Sequence, residues 1–343
     1  IGALRLYETL SALQTKTFAF SRVMEEFIDS RLLFVKSVVS KAKVRYFIGL
    51  GSELNTILGL CSDSKSNICD VTDIAALYEK VTTLQEEKIM ELYDLTEKRV
   101  ETLVPSIILL NSFLKMTQAK NVYIPMLELR HGMICDLADR QFDLPRRNDF
   151  FSDIIGSVWY IARKYGVDKQ HSELVAKLAL SIFDQTLKIH RLTARDREYL
   201  QMAAILHSVG YFTDFTEQSA LSFWLIQREN IMGLSNKELE IVANIVLYHD
   251  AEVPREHHLS YRNLAYHEKI IVSKLAAILK LANSLDISHR RKITQVEILR
   301  KNGELLFNAR VNQDILLEEW VFAQRSDFFE EITGLRPVLK KIG

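Results

Sequence analysis

The chain has 343 residues, with 44 basic and 44 acidic side chains and 48% apolar residues, so its formal net charge is zero. Neutrality excludes a protein that works mainly as a polycation on nucleic acid or a membrane surface, though not a local basic groove. Only 12 glycines and 5 prolines are present, which excludes glycine-rich repeats and proline-rich disorder. The three cysteines, Cys61, Cys69 and Cys135, form neither a disulfide framework nor a metal-ligand spacing, which fits a reducing cytoplasm. No stretch of about 18 uncharged apolar residues could cross a bilayer, and no signal peptide is evident.

In chain order, apolar spacing predicts a helix over residues 11–41, carried by Phe18, Val23, Phe27, Leu32, Val35 and Val39. A β-rich run follows at 44–50 and ends in the turn Gly49-Leu50-Gly51-Ser52. Helices are expected over 71–79, 84–92 and 99–115, with Pro105 near a first turn. A short strand is expected at 121–125, and Leu129-Arg130-His131-Gly132 opens another helix. Composition changes at 143–149, where Pro145 and a charged run mark the domain boundary. Six helices should follow, over 151–165, 170–190, 196–209, 219–229, 236–248 and 267–285. Residues 293–322 return to β character around Asn302-Gly303, a strong hairpin signal.

Three places could carry chemistry. The Gly49–Glu53 turn could present backbone N–H groups of Gly49, Gly51 and Ser52 to a phosphate, but Glu53 would repel it, and a plain turn is the competing reading. Arg130 could hold an oxyanion with its planar fork, or simply be solvated. His289, Arg290, Arg291 and Lys292 could attract a polyanion, or form an ordinary solvated helix end. In the helical part, His171, His207-Ser208 and Asn283 follow the order of an HD-type metal site, where imidazoles and carboxylates hold an ion that generates hydroxide. Serine and asparagine replace the two anionic ligands, so hydrogen-bonded packing is the favoured reading of these histidines.

Together these residues resemble the exopolyphosphatase / guanosine pentaphosphate phosphohydrolase (Ppx/GppA) family. Ile1-Gly-Ala-Leu-Arg-Leu-Tyr-Glu8 is similar to its "lGalRLtE" segment, residues 49–58 to its second glycine-rich loop, and Leu129-Arg130-His131-Gly132 to "LRxG". Residues 171–209 resemble the helix pair that ends in "AAxLHDxG", 241–249 "IVAxIxxYH", and 274–289 "KLAAILRLADALDRSH". The resemblance spans essentially the whole chain.

It implies an α/β part plus an all-α part. The second lobe of an actin-like, ribonuclease-H-like fold would cover 1–145, an HD-like helical domain 146–292, and a small C-terminal α+β extension 293–343. It implies a hydrolase of terminal phosphoanhydrides, acting on inorganic polyphosphate or guanosine pentaphosphate, cytoplasmic and homodimeric, with neither nucleic acid nor membrane as partner. Family members carry a further lobe before the position of Ile1, with the catalytic carboxylates and the Mg²⁺ site. No catalytic residue or metal is therefore expected in this chain, which alone should be inactive. A non-catalytic polyphosphate- or alarmone-binding protein, and an HD-domain metal phosphohydrolase, are the alternatives. The departures from the family pattern are Ser52 and Glu53 in the loop, Ser208 and Asn283 in the HD positions, and Ser219-Ala220-Leu221-Ser222 for "HKHS". Asp250 and Ile287 each stand where the pattern has arginine.

Overall fold

The computed structural model describes residues 2–14, 20–39, 44–61, 67–142, 144, 146–211, 218–301, 303–311 and 313–342. The chain forms two compact units, Ile1–Leu144 and Pro145–Gly343. Pro145 itself lies outside the described residues, as does Asn302 of the hairpin signal.

The first unit is mixed α/β and mostly helical. It runs α1 (Ala3–Gln14), α2 (Phe20–Arg31), α3 (Leu33–Val39), β1 (Phe47–Ile48), α4 (Ser52–Cys61), β2 (Ile68–Asp70), α5 (Val71–Thr83), α6 (Glu86–Tyr93), α7 (Glu97–Leu114), β3 (Asn121–Tyr123) and α8 (Leu129–Phe142). Helix α7 is apolar on all sides and is accordingly central, packed by α1, α2, α4, α5 and α6. Its consecutive residues Ile107 and Ile108 feed two different apolar clusters, one with Ile57, Ile74 and Val122, the other with Leu6, Met24 and Ile28.

Three expectations are corrected here. The helix expected over 11–41 breaks at Leu32, between α2 and α3, while residues 15–19, with Phe18, and 40–41 lie outside the described residues. Pro105 lies in the interior of α7 rather than near its start, so the Glu101 carbonyl lacks its usual helical donor. The strand expected over 44–50 shortens to Phe47–Ile48, because Tyr46, Ile48 and Leu50 are exposed and only one neighbour pairs with it. That neighbour is β3, parallel to β1 and antiparallel to β2, with Val122 opposite both Phe47 and Cys69.

The second unit runs α9 (Arg146–Lys164), α10 (Lys169–Gln185), α11 (Leu187–His190), α12 (Ala194–Leu206), α13 (Gln218–Arg228), α14 (Asn236–Leu247), α15 (Leu259–Arg262) and α16 (Tyr266–Ser284), then β4 (Val296–Lys301), β5 (Glu304–Arg310), α17 (Leu316–Thr333) and β6 (Arg336–Ile342). Helix starts follow local chemistry. Asp168 caps α10, and Thr193/Asp196 and Ser235/Glu238 form reciprocal capping boxes at α12 and α14. The expected 170–190 helix breaks at Thr186, whose hydroxyl donates to the Ile182 carbonyl at 2.6 Å.

β4 and β5 form the antiparallel hairpin, Lys301 opposite Glu304, with Gly303 at φ +83° in the turn. β6 joins parallel to β5 after α17 crosses over. Residues 316–322, expected as β, are helical. They present Phe322 to the core, where it packs edge-on against Phe307 of β5. The expected boundary at 292/293 separates no core. Ile293, Val296, Leu305, Phe307 and Phe322 belong to the same apolar cluster as Val158, Leu200 and Ile278.

Candidate functional site

In the first unit, the Gly49 N–H donates to the Tyr123 carbonyl at 2.9 Å and is not available to a phosphate. Gly51 has φ +126°, a backbone region that side chains rarely adopt, and α4 starts at the next residue. The start of α4 favours an anion, and the chain places its own there. Glu53 lies in the first turn and accepts a hydrogen bond from the Ser52 hydroxyl at 2.9 Å. Arg130 is exposed and ion-paired with Glu128 at 2.9 Å.

The basic run of the second unit is not four free cations. Lys292 is bound to the buried Glu318 at 3.0 Å, together with the Ser288 hydroxyl. Arg291 donates to Gln170, and His289 lies flat on His171 with ring centres 3.7 Å apart. Arg290 is exposed and makes no ion pair among the described residues. Lys292 thus serves the fold rather than a ligand. Lys292→Met leaves a buried carboxylate without its cation and is expected to destabilise the unit by about 3 kcal/mol, checked by urea unfolding.

The HD-like positions converge. Asp168 fixes the start of α10 and sets His171 in its first turn. His207 ends α12, and His249 follows α14. Asp286 and His289 lie on the turn that leaves α16. His171 Nδ1 is 2.8 Å from Asp286 Oδ2, and its Nε2 is 3.2 Å from His207 Nε2. The other Asp286 oxygen accepts the Arg291 N–H at 2.6 Å. The His207 and His249 rings meet edge-on with centres 5.2 Å apart. Asp286 is the participant that motif matching missed; His249 ends the matched segment 241–249 but was given no role there. Asn283 is buried, and the carboxylate that reaches His171 comes from three residues later.

Hydrogen bonding sets the tautomers. Carbonyls only accept, so His207 Nδ1, 2.8 Å from the Ala204 carbonyl, and His249 Nδ1, 2.6 Å from the Val246 carbonyl, both carry hydrogen. His171 Nδ1 donates to the Asp286 carboxylate. The Nε2 atoms of His171 and His207 lie 3.2 Å apart, so one donates and the other accepts, and His207, held as a neutral base by its burial, is the acceptor. Asp286, His171 and His207 then form one buried hydrogen-bonded chain. His249 Nε2 is buried with no partner. By contrast, both ring nitrogens of His190 are satisfied, by the Phe183 carbonyl and the Leu192 N–H. Burial pushes the His207 ring far below its ordinary value, reinforced by His249 and His171, and burial pushes His249 down to about 4.

The donor set departs from that of an HD-type metal site, because both Asp286 oxygens are engaged by His171 and the Arg291 N–H, and Ser208 and Asn283 occupy the anionic positions. No group of three metal-binding side chains assembles among the described residues.

Residues 155–325 match the family model for Ppx/GppA phosphatase, domain III. The chain belongs to the Ppx/GppA phosphatase family. A crystal structure of the Aquifex aeolicus Ppx/GppA phosphatase, type II variant, is similar at 16% identity and TM-score 0.32, over 39% of this chain and 46% of that one. The chain thus spans less than half the length of that Ppx/GppA structure.

One departure from the Ppx/GppA pattern acquires a physical account. Asp250, in place of arginine, pairs with Arg325 of α17, so the inverted charge is met from another helix. Ser222, which keeps the final serine of "HKHS", holds the His207 turn. Its Oγ accepts the Gly210 N–H at 2.9 Å and donates to the His207 carbonyl at 3.3 Å. Gly210 is required there, because a Cβ would lie 2.5 Å from the Gln218 carbonyl oxygen and 2.7 Å from the Ser222 nitrogen. Gly210→Ala is expected to lower unfolding free energy by roughly 2 kcal/mol in a denaturant titration.

Proposed function

We propose that this chain is part of a Ppx/GppA phosphatase that hydrolyses terminal phosphoanhydrides of inorganic polyphosphate or guanosine pentaphosphate in the cytoplasm. The observation that carries this reading is the family match over residues 155–325, together with the order of the motifs on either side of it. In this reading the first unit is the second lobe of an actin-like fold. The HD-like unit is a scaffold that extends the substrate groove and supports a homodimer.

Phosphoryl transfer depends chiefly on positioning and charge neutralisation. The Mg²⁺-binding carboxylates and the water-activating glutamate lie in the further lobe that the family resemblance implies. The part left to this chain is to receive the anionic substrate. The start of α4 at Ser52 contributes once Glu53 has swung away from Ser52, and Arg290 and Arg291 attract the distal tail. The HD-like histidines take no part in catalysis.

A second reading, a diverged protein that binds polyphosphate or an alarmone without turnover, is favoured by one observation, the Glu53 carboxylate on its own turn. Phosphate release from polyphosphate by the protein carrying the further lobe separates the two. Turnover supports the phosphatase, whereas saturable binding with no release supports the second reading. Glu53→Thr is expected to tighten polyphosphate binding roughly fivefold, since it removes a like charge from a helix start. Unchanged affinity would remove α4 from the substrate site.

A further inference from the structure

Between α16, α17 and the segment after α14 lies an open cavity of about 490 Å³. Its apolar wall is Val253, Ile287, Val321 and Phe328, and its floor holds Lys280, a lysine almost completely buried. Buried ammonium groups are normally paired with carboxylates, and three carboxylates line this cavity. Each is already taken by an arginine: Asp250 by Arg325, Glu331 by Arg255 at 3.4 Å, and Asp327 by Arg336 at 3.3 Å. Lys280 is left with a backbone carbonyl, that of Glu252, 3.0 Å from Nζ. Arg325, the nearest cation, reaches only the Lys280 carbonyl, at 3.5 Å, and adds a like charge beside it.

We infer that this cavity is a binding site for a small organic anion, its carboxylate or phosphate on the Lys280 ammonium and its apolar body against Val253, Ile287, Val321 and Phe328. The pairing of the charges favours this occupant. Arg255, Arg325 and Lys280 face Asp250, Asp327 and Glu331 across the lining, but Lys280 is the one of these cations with no carboxylate within ion-pair distance among the described residues, and the anionic group of a ligand supplies that partner to a desolvated charge. A neutral ligand of the same shape leaves that charge unmet. A polyanionic chain is disfavoured, because Asp250, Glu331 and Asp327 also line the cavity.

Burial, with the like charge of Arg325 beside it, pushes Lys280 down to about 8, against the weaker opposing pull of Asp250 and Glu252. An anion holds the proton in place. Binding is therefore expected to take up a proton when the solution is somewhat more alkaline than this value, and to weaken as pH rises further.

The test uses benzoate and phenyl phosphate as probes, with benzamide as the neutral counterpart, titrated calorimetrically into the full chain at matched ionic strength. Saturable binding of at least one anion is expected, with benzamide at least tenfold weaker. Lys280→Met should weaken the anion at least tenfold, whereas Lys237→Ala, at an exposed cation outside the cavity, should leave it unchanged. Which of the two anions binds more tightly distinguishes a carboxylate from a phosphate ligand. The inference is overturned if neither anion saturates, if benzamide binds equally well, or if Lys280→Met binds as the wild type does. Should that variant not fold, trace acetylation of the wild type decides. Bound anion must slow modification of Lys280 selectively, and an unchanged rate rejects the site.

Discussion

Asp286→Ala is expected to be the most damaging single substitution in the second unit, costing about 3–5 kcal/mol. The carboxylate is fully buried and accepts from both His171 Nδ1 and the Arg291 backbone N–H. Its removal strands a buried donor on each. For a unit of this size the loss corresponds to a fall in melting temperature of about 10 °C. A double variant distinguishes the ion network from simple packing. With His171→Leu added, no imidazole is left to strand, so the second substitution should cost much less than it does in the wild-type background. Additive effects would show that Asp286 and His171 are not coupled.

Acid should destabilise the same cluster. His207 and His249 are both buried and held as neutral bases, His249 down to about 4. In the unfolded chain these rings take protons near pH 6.5. Between that pH and about 4 the unfolded state therefore binds more protons than the folded one, and stability falls as pH falls. Above about 6.5 the contribution is complete. From its displacement alone, His249 accounts for roughly 3 kcal/mol at the acid end of the window. Urea unfolding across the window should show a steep slope, shallower by about one proton in His249→Phe. A flat profile between pH 6.5 and 4.5 would refute the neutral, buried assignment.

Much of the helical unit was legible because each helix there has a complete amphipathic period and a local start signal. Ser235 with Glu238 and Thr193 with Asp196 mark their helices within four residues of sequence. The hairpin was equally local, since a glycine at positive φ next to Asn302 suffices to turn β4 into β5. The first unit was harder. The run around Phe47–Ile48 has strand composition, but strand length depends on which neighbours pair with it, and among the described residues only β3 does.

The candidate site was legible in its residue types and misread in its geometry. His171 and His207 were expected as hydrogen-bonded packing residues, and hydrogen bonds do hold them. Motif register directed attention to Asn283, on the helix. The carboxylate in use is Asp286, which comes back to His171 only because the chain turns once α16 has ended at Ser284. His249 lies close to His207 through the packing of α12 on α14, a contact that no spacing in sequence reveals. The basic run looked like a ligand surface because the partner of Lys292 is Glu318, on a later helix that was expected as β.

In this Ppx/GppA chain the HD-like histidines are joined to Asp286 and to backbone carbonyls by hydrogen bonds, as a structural cluster would be. Elemental analysis of the purified chain after supplementation with Mn, Fe, Co and Ni separates such a cluster from a metal centre. A structural cluster gives no metal above trace level, with the same result for His171→Ala. One equivalent of metal in the wild type, lost in His171→Ala, would show a metal centre instead.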